Sequence, residues 1–355
     1  MKRGRMELPS WAREVLPFIA MLTVAFVDIG LLVISKAALA QGMNNLVAVV
    51  YSNALATLIL LPYFLFFRKQ RAPITWRLVW RFFLLGFIGS TGQVLTLTAL
   101  KLSSPTLTAA LGNIIPIFTF ILAVIFRMEN LDIRKASSQA KSLGAIVAVT
   151  GASVVTLYHG PAIFANSLTY NPLHRELSSS DQSDWVLGGF LFVVVCLETA
   201  TWNVLQGATV KAYPEEMTIV FFFTLFVTVQ SAVFTCILET SSSVWIMKSP
   251  TEIAAIVSTA ILGSLFRIIV ETWCLGRKGP VFVTMFSPVG IVIAAAMTVV
   301  FLGEKLYLGS VIGSVVISVG FYCVMWGQTK EKSEANEKDN CRDSLTTNLL
   351  STEVV

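Results

Sequence analysis

Ten apolar stretches of about twenty residues, grouped in two blocks of five, constrain this chain more than any other feature. Each is long enough to cross the roughly 30 Å hydrocarbon core of a bilayer as a helix. The spans read as 16–39, 46–67, 78–100, 106–126, 140–157, 185–207, 217–238, 253–275, 281–302 and 306–326. The sequence therefore predicts an all-α, ten-helix polytopic membrane protein. Since five is odd, the second block enters the membrane from the side opposite to the first.

Composition points the same way. Hydrophobic residues make up 55% of the chain and charged residues 13%, with a mean hydropathy of +0.74, too little charge to cover a soluble surface. The basic start, Met1 to Arg5, precedes a long apolar run that contains Asp28 and has no small-residue cleavage site, so the first span reads as an uncleaved anchor. Lys and Arg are retained on the cytoplasmic side of span ends. With the N-terminus inside, inside segments carry 20 of the 26 basic residues and outside loops carry 4. Both termini are thus expected in the cytosol. The pI of about 9.0 reports topology and attraction to anionic membrane lipid, with no nucleic-acid partner implied. Seven of the eight Trp residues lie near span ends, as interfacial anchors do, and only Trp202 sits mid-span. The cysteines, four in spans and Cys341 in the tail, suggest neither a disulfide framework nor a metal site, and no cofactor is expected.

An internal repeat groups the helices. Pro105 and Glu129 bracket the fourth span as Pro280 and Glu304 bracket the ninth, at an offset of 175. Gly144 and Gly151 match Gly313 and Gly320 at 169, and Asp28 matches Glu198 at 170. The expected organisation is a cytoplasmic arm (1–15), a first five-helix repeat (16–157), an extracytoplasmic linker (158–184), a second five-helix repeat (185–327) and a disordered cytoplasmic tail (328–355). Inverted-topology repeats are the architecture many transporters use to alternate access around a midplane site. The linker holds both histidines and is assigned no chemistry.

Several segments carry a resemblance. They include Ser35-Lys-Ala-Ala-Leu39 with Gly42 and Val49-Val-Tyr51, Ala109 to Glu129 with Asn113, Pro116 and Arg127-Met-Glu129, and Ser138-Gln-Ala-Lys141. The second half adds Tyr213-Pro-Glu-Glu216, Lys278-Gly-Pro-Val-Phe282, Ser287-Pro288, Phe301-Leu-Gly-Glu304 and Leu308 to Gly313. Together, over roughly residues 12 to 330, they resemble the plant Walls Are Thin family, whose members are also called "usually multiple acids move in and out" transporters. That family lies in the EamA branch of the drug/metabolite transporter superfamily. The resemblance implies ten helices in two EamA-like repeats and a small-molecule transporter. It further implies facilitative or proton-linked movement of amino acids or related organic solutes, at the plasma membrane or the vacuolar membrane. An auxin-type vacuolar role is the alternative the family offers.

Ionisable groups inside spans cost about 2.5 to 3.5 kcal/mol on insertion scales and face a cavity or a partner. Four stand out: Asp28, Glu198, Arg267 and Glu271. Asp28 and Glu198 occupy matching depth on the first helix of each repeat, where they flank a central cavity or hydrogen-bond to a neighbouring helix. The family is not associated with an acid at either position. Glu198, Trp202 and Gln206 recur every four residues on one helix face. Arg267 and Glu271, four apart, pair along one helix, or Arg267 presents its fork to a substrate carboxylate. Gln93, Asn113, Asn53 and Asn203 offer neutral hydrogen bonds, to substrate or between helices. Pro116 and Pro288 free backbone carbonyls at matching places, the pointer to a transporter site. The candidate substrate-binding set is Asp28, Gln93, Asn113, Glu198, Trp202 and Arg267, with Pro116 and Pro288 as helix-kink residues. Gly309 and Gly313 form a Gly-x-x-x-Gly pair expected to pack within the chain; homo-oligomerisation stays open.

Intramembrane enzymes fit poorly. Two histidines in one loop supply neither an iron cluster nor His-Glu-x-x-His, and an aspartyl intramembrane protease needs two helical aspartates where only Asp28 is available. No ring of like charge or filter loop suggests a channel.

Overall fold

The computed structural model describes residues 10–66, 73–102, 111–129, 134–158, 161–164, 182–239, 242–247, 249–290, 292–293, 296 and 306–352. Among the described residues, ten helical rods follow the ten apolar spans in order. They are α1 (Ser10–Ala40), α2 (Asn45–Phe66), α3 (Trp76–Leu102), α4 (Ile115–Ile125), α5 (Ala136–Leu157), α6 (Gln182–Ala212) and α7 (Glu216–Leu238). The eighth rod is continuous but composite: α8 (Pro250–Ser258), a π-helical stretch (Thr259–Arg267), then α9 (Ile268–Lys278). The ninth opens with α10 (Pro280–Thr284) and the tenth is α11 (Leu308–Thr352). Among the described residues, six helices are long and apolar enough to cross a membrane. Pro105, Glu304 and linker residues 165–181 lie outside the described residues.

The connections follow from local chemistry. Gly279 takes φ +89°, which ends α9 with its N–H on Leu275 O at 3.2 Å, and Pro280 then opens α10 where a missing N–H costs nothing. Arg127 at φ 55° ends the fourth rod, and Met128 N–H returns to Ala123 O at 2.8 Å. A short antiparallel pairing of β1 (Ala162–Phe164) with β2 (Leu306–Tyr307) ties the start of the linker to the start of α11. The tail from residue 328, expected to be disordered, continues as helical backbone to Thr352.

The inverted repeat shows in how α5 meets α11. A Cβ on Gly144 would lie 2.7 Å from Gly320 O, and one on Gly151 would lie 3.0 Å from Gly313 O. The low-numbered glycine of each helix therefore meets the high-numbered glycine of the other, the crossed pattern that a two-fold axis imposes on antiparallel partners. Gly309 joins the same seam, facing Tyr158 O, so the Gly-x-x-x-Gly pair is spent on contacts within the chain. Below the seam Gly327 faces Ser137 O and Lys141. Lys141, 1% exposed, bonds Glu129 Oε2 at 2.7 Å and also bonds Glu331, tying α4, α5 and α11 at the end of the bundle where α1 begins.

That end is filled with apolar side chains. Met21, Leu275, Phe282, Val283 and Phe286 form one buried cluster; Ala123, Val204, Val281, Met285 and Val324 form another. A third, with Leu85, Val220, Phe223 and Val227, joins α3 to α7. The packing is continuous up to the middle of the helices and then gives way to a cavity.

Candidate functional site

The cavity has a volume of about 640 Å³, within the range of small-molecule sites. Its walls come from α1, α2, α3, α6, α7, the π-helical stretch and the first residue of α9. Lining residues run from Trp202 and Ile268 at mid-helix to Asn45 at the start of α2, so it extends toward the end of the bundle opposite the start of α1. Asp28, Gln93, Glu198, Trp202 and Arg267, singled out from the sequence, all line it.

One wall is built by the π-helical stretch against α1. A Cβ on Gly263 would sit 3.2 Å from Leu31 Cδ1, so the missing side chain lets the two helices approach. Three residues earlier on α1, Asp28 Oδ2 comes within 3.6 Å of Arg267 Nε, and Glu271 Oε1 accepts a hydrogen bond from the same Nε at 2.9 Å. Glu271 is almost fully buried while Arg267 and Asp28 face the cavity, 44% and 41% exposed. The two sequence readings of Arg267 are thus combined: it pairs along its own helix and it also meets Asp28 from the first repeat. Both contacts engage Nε, and the two terminal NH2 groups have no partner among the described residues. A π stretch inside an α-helix is rare and recurs at functional sites.

A second wall is built by α3 and α6. Glu198 accepts a hydrogen bond from the Thr91 hydroxyl through Oε1, and its Oε2 lies over Gly92, where a Cβ would come to 3.4 Å. Glu198 Oε2, Gln93 Oε1 and Trp202 Nε1 are buried polar atoms with no hydrogen-bond partner among the described residues. Buried polar groups are otherwise almost always paired, so these three mark where a ligand or water completes the set. The Trp202 ring leans on Phe223 of α7 at 5.5 Å between centroids. One turn further along α6, Gln206 bonds Thr272 Oγ1 at 2.5 Å inside the packed floor.

Asn113 lies elsewhere. It is 1% exposed in the break that precedes α4, and neither of its amide atoms has a partner among the described residues. The break packs behind α6, with the Cys196 thiol on Leu111 O at 3.5 Å, which keeps Asn113 out of the cavity wall. Pro116 and Pro288, the helix-kink candidates, do not line the cavity. Each proline ring clashes with the carbonyl four residues earlier. The regular helix is interrupted by a turn at residues 113–114 before Pro116, and at Met285 just past Thr284, the residue four before Pro288, with Ile114 and Met285 keeping right-handed helical dihedrals. Asn53 lines the cavity but bonds its own helix at Val49 O, 2.9 Å, and Asn203 likewise bonds Thr199 O at 3.0 Å. Thr259, Gly263 and Ser264 were not anticipated. Their spacing ahead of Arg267 is the signal that was available, small and polar residues facing the same way as an intramembrane charge.

Comparison with known proteins agrees with this architecture. The sequence model of the EamA-like transporter family matches residues 15–157, the first five rods. Three WAT1-related proteins of Arabidopsis thaliana are 40%, 39% and 37% identical to this chain over 341, 341 and 342 residues. The alignments cover 93%, 92% and 95% of this chain and 92%, 92% and 96% of those relatives. A solved crystal structure superposes with a TM-score of 0.63 over 88% of this chain and 97% of that one at 15% identity, a likeness of fold alone.

Proposed function

Because the chain belongs to the WAT1-related family of EamA-like membrane transporters, we propose that it moves amino acids or related small organic solutes by alternating access, chiefly outward across the plasma membrane. The observation that carries this reading is the cavity between the repeats. It sets beside Asp28 a guanidinium whose two NH2 groups have no partner among the described residues, and an acid, an amide and an indole on a second wall. A zwitterion near the membrane centre needs its carboxylate and its ammonium both satisfied, since an unpaired charge there costs several kcal/mol. In this reading Arg267 holds the carboxylate and Asp28 meets the ammonium. Trp202 and Phe223 give the apolar part of the solute a surface. The prolines that break the fourth and ninth rods provide the joints about which each repeat closes.

Efflux from cells preloaded with labelled glutamine is the test. Expression should speed its loss severalfold. No change for any amino acid alongside robust indole-acetate transport would instead support the auxin-type role at the vacuolar membrane.

Both termini lie in the cytosol in this reading, supported by the bias of 20 basic residues to 4. The cavity then faces the extracytoplasmic side and the Glu129–Lys141–Glu331 cluster closes the cytoplasmic side. An impermeant thiol reagent applied to intact cells should leave a cysteine placed near Glu334 unlabelled; labelling there would reverse the topology.

A further inference from the structure

We infer that the cavity selects solutes bearing a net positive charge, with Glu198, Gln93 and Trp202 forming a subsite for an ammonium or guanidinium group. This rests on the amino-acid reading above and names the class of amino acid that fits it best.

The charge census carries the inference. Among the described residues, the cavity wall holds two acids, Asp28 and Glu198, and one base, Arg267. Arg267 does not act as a free cation: Asp28 lies 3.6 Å away and Glu271, buried behind the wall, 2.9 Å away, so two carboxylates already answer one guanidinium. Glu198 stands on a different wall with no basic partner among the described residues. Among the described residues, the Thr91 hydroxyl donates to its Oε1 and its Oε2 has no hydrogen-bond partner.

The same cavity is lined by a second unpartnered acceptor and by an aromatic ring whose N–H is also unpartnered among the described residues. Gln93 contributes an unpartnered carbonyl oxygen one position beyond Gly92. Trp202, one turn from Glu198 on the same helix, presents an indole, the aromatic ring that attracts cations most strongly. A carboxylate oxygen and an amide oxygen accept from a primary ammonium or a guanidinium, and an indole lining the same cavity adds an aromatic surface that attracts cations. The two oxygens repel a carboxylate, which finds only the Trp202 N–H as a donor among these three groups. Gly92 keeps the space above Oε2 open where a side chain would crowd it. A neutral zwitterion satisfies the Arg267–Asp28 wall and leaves Glu198 without a partner, whereas a basic amino acid places its side-chain cation there. An anion finds no uncompensated positive charge among the described residues of the wall.

The test compares lysine with norleucine, which replaces the terminal aminomethyl group by methyl, and with cadaverine, which is lysine without its carboxylate. Labelled solutes are supplied to cells expressing the full chain at equal low concentration, with surface abundance measured in parallel. Lysine should be transported about tenfold better than norleucine, the scale of one charge-assisted hydrogen bond, and cadaverine should compete with it. Glu198→Gln should collapse the lysine advantage while Glu198→Asp retains it. Should Glu198→Gln fail to reach the surface, inhibition of norleucine transport by lysine in the unaltered protein decides the matter, with strong inhibition expected. Equal transport of lysine and norleucine, reduced alike by Glu198→Gln, would overturn the cation subsite and leave the amino-acid reading standing. Transport of cadaverine without any amino acid would sustain the subsite and overturn that reading. Transport of indole acetate uninhibited by either cation would overturn both.

Discussion

Replacing Gly320 by leucine is expected to abolish the folded protein, and replacing it by alanine to destabilise it by about 3 kcal/mol, at the upper end of the cost of overpacking. The reason is what the new atom would meet. A Cβ on Gly320 would lie 2.4 Å from Ala148 N and 2.6 Å from Gly144 O, both backbone atoms of α5. A side chain swings aside cheaply; two backbones separate only by moving whole helices. That separation would strain the partner contacts at Gly313 and Gly151 and the Lys141 cluster beneath them. Gly30→Ala is the control, since a Cβ there meets nothing within 4 Å and alanine is the better helix former. Thermal unfolding in detergent, followed by size-exclusion chromatography, reads both. A Gly320→Leu protein that elutes and melts like the parent would refute the close α5–α11 approach.

The glycines that make this seam were legible in the sequence as a repeat at an offset of 169, because helix contact at backbone distance demands the smallest residue at fixed spacing. Their crossed partnership was not, since an offset records symmetry but not which surfaces the symmetry brings together. Asp28, Gln93, Glu198, Trp202 and Arg267 were found by a single rule, that polar and ionisable groups in a span face something other than lipid. The same rule misplaced Asn113, since an amide behind α6 satisfies it as well as one in a cavity. The π-helical stretch left no trace: Thr259 to Arg267 carries neither proline nor a glycine pair, and the packing of α1 against it at Gly263 is a long-range contact that spacing does not record. The second partner of Arg267 was hidden for the same reason. Pairing with Glu271 follows from spacing along one helix, while the contact with Asp28 depends on how two distant helices meet.

That second partner makes the Arg267–Glu271 cycle asymmetric, and the asymmetry is the expected result. Arg267→Gln leaves Glu271, 8% exposed, without its cation and leaves Asp28 beside it, a loss of about 3 to 5 kcal/mol as for a broken buried pair. Glu271→Gln leaves Arg267 still answered by Asp28 and partly exposed to the cavity, so it should cost much less. The double replacement removes the stranded charge and should recover most of the folded yield. Thermal stability and surface abundance measure these three outcomes. Transport then separates structure from function in the protein that has regained its fold. If Arg267 holds a substrate carboxylate, the double variant should need a substrate concentration about tenfold higher for lysine, with a smaller change for cadaverine, which lacks that group. Normal transport by a stable double variant would make the two residues a structural pair and remove Arg267 from the site. Equal stability of the two single variants would instead show that Asp28 does not share in compensating the guanidinium, and the three-residue arrangement would fail with it.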